Sequence, residues 1–306
     1  MIQLERLFEE YTSEKPLKVE ELPSSGSNRR YFRLYGKNRT LIGAKGTCVE
    51  ENIAFWTIAD HFYKMGLPVP EVYSKSDDQY YYLQKDLGDD SLFKAVSEGR
   101  ESGNYNHKEV ELLCKTIKML PALQFKGAEG LDFNICYPQP EFDRRMISFD
   151  LNYFKYCFLK ATGIEFNEIQ LEDEFSKMSD ILMNCNSNNF LYRDFQARNV
   201  MLVDGNPYFI DFQGGRRGPI YYDVASFVWQ AKAKYSDALR EKLIDAYLEA
   251  LQEFTQVNRE EFMANLRHFV LFRTLQVLGA YGFRGYFEKK PYFLQSVPYA
   301  IDNLKK

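Results

Sequence analysis

Cysteine and histidine are scarce and scattered in this chain. Its five cysteines, Cys48, Cys114, Cys136, Cys157 and Cys185, form no C-x-x-C pair, so they suggest neither a disulfide framework nor a zinc site and read as reduced packing residues. His61, His107 and His268 stand far apart, which excludes H-E-x-x-H hydrolysis and leaves little basis for a histidine-centred triad. No long Lys/Arg block occurs and the net charge is −4, so there is little electrostatic drive toward nucleic acid or an anionic membrane. No apolar run approaches the ~20 residues that span a bilayer. What is present is apolar and aromatic material, 45% and 16% of 306 residues, enough for a large buried core. That length exceeds one compact core, so two lobes flanking a cleft are expected, with a small molecule as partner and the oligomeric state left open. Leu4, Leu7, Phe8 and Tyr11 fall at helical spacing among charges, giving an amphipathic first helix rather than a signal peptide and an expected cytoplasmic location.

The densest chemistry lies in Tyr192-Arg193-Asp194-Phe195-Gln196-Ala197-Arg198-Asn199, followed twelve residues past the asparagine by Asp211 within Ile210-Asp211-Phe212-Gln213. Moving a γ-phosphoryl group requires a carboxylate beside the acceptor hydroxyl and oxygen ligands that hold magnesium against the nucleotide phosphates. Asp194 suits the first task. Asn199 and Asp211 suit the second, because magnesium takes one or two protein oxygens and fills its shell with phosphate and water. Between them, two apolar runs at residues 200–203 and 207–210 flank Asp204-Gly205, the signature of a tight hairpin. Singly, an Arg-Asp is a surface ion pair and an Ile-Asp-Phe a strand end; together they point to phosphoryl transfer.

Upstream, a polar turn over residues 22–30 leads into strand-like residues 31–35 and 40–44, a hairpin with a Ser/Gly loop able to offer backbone N–H groups to phosphate. Ile53, Trp56, Ala59, Phe62 and Tyr63 mark a helix over about 50–64, ended by Gly66, Pro68 and Pro70. A strand over 79–84 runs into Lys85-Asp86-Leu87-Gly88-Asp89-Asp90, where the lobes should join and adenine should bind. The periodicity thereafter is helical. Val110 to Leu120 (ending before Pro121), Met146-Phe149-Tyr153-Phe154-Cys157 and Leu171 to Cys185 give core stripes, and helices are expected at 239–254 and from Phe262 to about Leu278. The acidic Glu172-Asp173-Glu174 should face water.

These segments resemble the aminoglycoside phosphotransferase and choline kinase group, whose fold is the bilobal protein-kinase-like α+β architecture. The resemblance is nearest to its cytoplasmic amino-sugar kinases, which act on the anomeric hydroxyl of N-acetylmuramate and N-acetylglucosamine in cell-wall recycling. It rests on Leu22-Pro23-Ser24-Ser25-Gly26-Ser27-Asn28-Arg29-Arg30-Tyr31-Phe32-Arg33, Lys85 to Asp89, Tyr192 to Met201, and Ile210-Asp211-Phe212-Gln213 through Gly218-Pro219 and Tyr222-Asp223. It implies a small β-rich nucleotide-binding lobe (1–88) and a larger helical lobe for catalysis and substrate (89–306).

The resemblance further implies ATP and Mg2+ as cofactors, Asp194 as the base or acceptor-orienting carboxylate, and Asn199 and Asp211 as metal ligands. Ser25, Gly26, Ser27 and Asn28 would cover the phosphates. Asp223 would hold the catalytic loop from behind, a role compatible with capping the helix that follows. Many relatives have His-Gly-Asp where this chain has Tyr192-Arg193-Asp194, so Arg193 adds a cation that can stabilise phosphate or lower the Asp194 pKa. Lys45, with Glu50 or Glu51 as helix-borne partner, either grips the phosphates or faces solvent. Gln213, Arg216 and Arg217 are candidates for the acceptor, an arginine suiting a carboxylate-bearing sugar, although paired arginines are by default solvated. An aminoglycoside, choline-like or other metabolite acceptor, and a non-catalytic nucleotide-binding pseudokinase, remain as alternatives.

Overall fold

The computed structural model describes residues 2–23, 29–185 and 187–305, so Ser25, Gly26, Ser27 and Asn28 lie outside the described residues. Helix α1 (Ile2–Thr12) is followed by β1 (Lys18–Glu21), β2 (Arg30–Tyr35), β3 (Thr40–Lys45), α2 (Val49–Lys64), β4 (Val72–Lys75) and β5 (Tyr81–Lys85). The five strands form one antiparallel sheet in the order β1-β2-β3-β5-β4. Alternation along each strand sorts the side chains onto two faces. Phe32, Leu34, Leu41 and Leu83 pack under Leu4, Leu7 and Phe8 of α1. Tyr31, Ala44 and Tyr82, directly opposite one another in register, face Phe55, Trp56 and Phe62 of α2. The expected hairpin and helix are therefore present, together with β1 and β4, short edge strands too polar to announce themselves.

The chain leaves β5 through a linker pinned by Arg33. Its guanidinium reaches Asp86 Oδ2 at 2.7 Å, Asp89 Oδ1 at 2.8 Å and the Gly88 carbonyl at 3.1 Å. Beyond it run α3 (Leu92–Ala95), α4 (Ser97–Ser102), α5 (His107–Lys118), α6 (Leu120–Phe125), α7 (Arg144–Phe154) and α8 (Glu168–Asn184). The short strands β6 (Asn189–Leu191), β7 (Val200–Val203), β8 (Asn206–Phe209) and β9 (Arg216–Gly218) follow, then α9 (Tyr221–Val228), α10 (Asp237–Leu251), α11 (Arg259–Gly282) and α12 (Val297–Leu304). Asp143, Asn167, Ser236 and Asn258 each accept the backbone N–H three residues on, which fixes where α7, α8, α10 and α11 begin. As expected, the helix of the Val110 stripe, α5, ends before Pro121, at Lys118; Pro121 then stands in the first turn of α6, where its missing N–H costs nothing. Phe149, expected in the core, is 63% exposed, because α7 buries only the stripe of Met146, Ile147, Asp150, Leu151 and Phe154. Glu172 to Glu174 face solvent as expected, with Glu172 paired to Lys155 at 2.8 Å.

Two packing contacts fix these elements relative to one another. Helices α7 and α11 approach so closely that a Cβ on Gly279 would sit 2.8 Å from the Phe154 backbone nitrogen, which is why the contact needs glycine. A column of rings, Tyr82, Phe55, Phe212 and Tyr192, joins sheet and α2 to the segment that carries Asp194 and Asp211, with successive centroids 5.1, 5.2 and 6.2 Å apart. Among the described residues no helix is long and apolar enough to cross a membrane.

Candidate active site

β6 delivers the chain into the loop of Tyr192, Arg193 and Asp194, and a short helical turn at Ala197–Asn199 returns it into the β7–β8 hairpin. Asp204 and Gly205 at the hairpin tip both have positive φ, 50° and 72°, as the Asp-Gly turn demands. Arg193 also holds a left-handed backbone, φ 77°. That conformation explains glycine in the related His-Gly-Asp pattern and costs an arginine on the order of 1 kcal/mol or more. Asp223, fully buried, compensates: its Oδ2 accepts the Tyr192 N–H and its Oδ1 the Arg193 N–H, both at 2.8 Å. It sits inside the first turn of α9 rather than at the cap, which Ile220 occupies, so the helix-cap alternative gives way to loop bracing.

Asp194 is half-exposed, with Oδ1 3.3 Å from Arg273 Nη2 of α11. Burial pushes its carboxyl up, but Arg273, Arg198, Arg193 and Arg216 outweigh that and hold it below its ordinary value, so it stays ionised. Asn199 is buried and donates its amide to the Asp194 carbonyl at 2.8 Å, which turns its amide oxygen the other way. Its backbone carbonyl accepts the Ile210 N–H at 3.1 Å and so ties the loop to the strand end that carries Asp211. Asp211 has φ 68°; burial and the neighbouring Asp194 raise its carboxyl above the ordinary range. One carboxylate and one amide oxygen, held by backbone strain and hydrogen bonds, fit magnesium.

The remaining expected residues are placed differently. The Arg193 side chain turns from the cleft to buried Asp150, Nη2 to Oδ1 at 3.0 Å. Gln213 donates to Asp211 Oδ1 at 2.7 Å and so orients the carboxylate rather than an acceptor. Arg216 and Arg217 point to opposite faces of β9. Arg216 is buried and donates to the Gly214 carbonyl at 2.9 and 3.2 Å; burial, then Arg193, pulls it down to about 10. Arg217 lies over the Phe133 ring at 4.9 Å and is 3.9 Å from Glu141. Lys45 does not meet Glu51. It shares a sheet face with Leu41 and Leu83, its Nζ 5.7 Å from the centre of the Tyr81 ring, because one position along a strand changes the face. Glu51 is paired instead with Arg29, 3.4 Å from Oε1.

Sequence reasoning missed Asp150, Arg198 and Arg273, and gave Arg29 no role. Arg198 lies within the motif, exposed beside both Asp194 and Asp211, and was open to being read. Arg273 and Asp150 sit in helical stripes far from the motif, where only a charge at a core position hints at a partner.

A sequence profile of the phosphotransferase enzyme family matches residues 18–257. The chain is similar to an N-acetylmuramate/N-acetylglucosamine kinase of Neisseria meningitidis serogroup B, 26% identical over 288 residues that cover 91% of this chain and 82% of the relative. Its fold is similar to that of choline kinase from Cryptosporidium parvum Iowa II, with TM-score 0.65 and 12% identity over 97% of this chain and 90% of the other. It is also similar to that of a thermostable mutant of aminoglycoside phosphotransferase APH(4)-Ia, solved with ADP and hygromycin B, with TM-score 0.59 and 14% identity over 98% of both chains. With that profile spanning well over half of a chain built on the bilobal protein-kinase-like fold, the protein belongs to the phosphotransferase enzyme family and is a small-molecule kinase that transfers phosphate to a hydroxyl group.

Proposed function

We propose that this kinase transfers the γ-phosphoryl group of ATP to the anomeric hydroxyl of an amino sugar, N-acetylmuramate or N-acetylglucosamine. The observation that carries the reading is Asp194, a half-exposed carboxylate kept ionised by surrounding arginines beside the pair Asn199 and Asp211. Asp194 orients the acceptor hydroxyl and takes its proton as the new P–O bond forms. Asn199 and Asp211 hold Mg2+, which supplies charge neutralisation at the phosphates. Gln213 keeps Asp211 aimed, and Asp223 keeps the loop in register. Tyr192 seals the floor by donating its hydroxyl to the Ile210 carbonyl.

The acceptor assignment is supported by the printed name of the Neisseria relative and by electrostatics. Arg273 and Arg198 beside Asp194 suit a neutral or carboxylate-bearing sugar better than the cationic choline or aminoglycoside. We place the lobe boundary at residue 88, where Arg33 grips the linker and Gly88 takes φ 80°, and the reaction in the cytoplasm, where ATP is available. The test is ADP release with Mg-ATP and N-acetylmuramate, N-acetylglucosamine, choline or an aminoglycoside. Turnover on the amino sugars with phosphate at the anomeric carbon, lost by several orders of magnitude in Asp194→Asn with ATP affinity retained, is the expected result. Turnover on choline alone, or undiminished turnover in the variant, refutes it.

A further inference from the structure

We infer that Arg29, clamped by Glu51 of α2, is the cation that grips the nucleotide phosphates from the sheet side of the cleft, and that Lys45 takes no part. The inference rests on the ATP-dependent reading above and assigns one of its contacts. In protein kinases a lysine on the third strand, paired with a glutamate on the following helix, performs this task, and the pair must be in place for transfer. Here the positions of β3 that face α2 are Ile42 and Ala44, neither of them charged, while Lys45 shares its face with Leu41, beneath α1.

Along β2 and the residue before it, the basic residues on the face of Tyr31 are Arg29, two positions before it, and Arg33, two positions after it, while Lys75 of β4, opposite Tyr82 on the same face, is paired with Asp60 at 2.9 Å. Arg33 is committed to Asp86 and Asp89 at the linker. Arg29 is buried, donates Nη2 to the Glu51 carbonyl at 3.0 Å, and lies 3.4 Å from the Glu51 carboxylate and 5.5 Å from the centre of the Phe55 ring. Phe55 in turn stacks on Phe212, the residue after Asp211, so the guanidinium rests on a ring stack that leads to the Asp211 segment. Arg30 shows the consequence of the next register. It points to the opposite face and forms a two-pronged pair with exposed Glu21, both contacts at 2.7 Å. A guanidinium fork held by a helix carboxylate and joined through two stacked rings to the Asp211 segment is suited to bidentate recognition of phosphate oxygens.

The experiment measures binding, not turnover, by titrating ATP, ADP and adenosine in the presence of magnesium into wild type, Arg29→Met and Lys45→Met, with melting curves for each. Arg29→Met is expected to weaken ATP and ADP at least tenfold while leaving adenosine within twofold, and Lys45→Met to leave all three within twofold. A purely structural Arg29 would lower the melting temperature and weaken adenosine and ATP alike. Undiminished ATP affinity in Arg29→Met, or a tenfold loss in Lys45→Met, overturns the inference. If Arg29→Met does not fold, Glu51→Gln decides in its place: a loss confined to phosphate-bearing ligands supports the clamp, and unchanged affinities overturn it. A wild type that binds no ATP removes the underlying reading and this inference with it, an outcome distinct from a wild type that binds ATP indifferently to Arg29.

Discussion

Arg193 hangs by its backbone N–H from Asp223 Oδ1 at 2.8 Å, while its neighbour Tyr192 hangs from the second oxygen of the same carboxylate. In Asp223→Asn the amide nitrogen replaces one acceptor and leaves one buried N–H without a partner, a cost of about 1–3 kcal/mol. The loop carrying Asp194 loosens, and turnover is expected to fall by roughly a hundredfold, the effect of an ångström-scale misplacement.

Asp223 also makes stability depend on pH. Burial pushes its carboxyl from the ordinary 3.8 up to about 7, against the two N–H donors, Gln124 and Arg273. A raised folded pKa means the native state holds more protons than the unfolded one. The stabilisation is complete below the ordinary value and is lost as pH rises through about 7, at up to ~1.4 kcal/mol per pH unit. Melts of wild type and Asp223→Asn from pH 5 to 8 should therefore show a stability gap that narrows with rising pH. A constant gap would refute the assignment.

The Arg193 side chain belongs to stability more than to chemistry. Asp150 is 2% exposed and bonded to Arg193 at 3.0 Å, so Arg193→Gln strands a buried carboxylate, at a cost of roughly 3–5 kcal/mol. Adding Asp150→Asn removes the stranded charge and should recover a large part of the loss. Urea denaturation of the two single variants and the double variant measures the coupling. Additive losses would mean that the pair is not a unit.

The contrast between these residues shows what the sequence could convey. The candidate residues Asp194, Asn199 and Asp211 stood out because a loop and a hairpin fix their spacing within twenty residues, and Asp204-Gly205 fixes the hairpin. The sheet and long helices were legible from periodicity, yet Phe149 was misplaced because one apolar residue can fall on the wrong edge of a stripe. Lys45, read as either gripping phosphate or facing solvent, lies one position of strand register from Ala44, which faces α2, and Leu41 and Leu34 carry the information about which face is which. Arg273 reaches Asp194 across seventy-nine residues, and no local pattern encodes that contact.

Two adjacent glycines after the Asp211 segment should respond in opposite ways. A Cβ on Gly215 would lie 2.1 Å from the tip of the Phe190 ring, which is itself buried and packed edge-on against Phe62 with centroids 4.8 Å apart. A Cβ on Gly214 meets nothing closer than Arg193 Cδ at 3.9 Å, an ordinary contact. Gly215→Ala is expected to destabilise by about 1–3 kcal/mol, the usual cost of overpacking, and Gly214→Ala to be nearly neutral. Equal melting temperatures for the two variants would contradict the packing at Phe190.

Arg273 should govern the acid limb of activity. Burial alone would raise the Asp194 carboxyl, and Arg273 is foremost among the arginines that reverse the shift. With the carboxyl held below its ordinary value, wild type should keep the ionised base through mildly acidic pH. Arg273→Gln removes that cation, burial gains the upper hand, and Asp194 protonates at higher pH. The profile of kcat/KM should then lose activity on its acid side at a pH where wild type is still flat, and the difference should vanish toward pH 8. A uniform reduction at every pH would assign Arg273 to architecture instead, through its contacts with Ser226 at 3.3 Å and the Tyr222 ring at 5.6 Å. The position of the acid limb, not the size of the loss, therefore distinguishes a residue that sets the charge of the base from one that only holds α11 against α9.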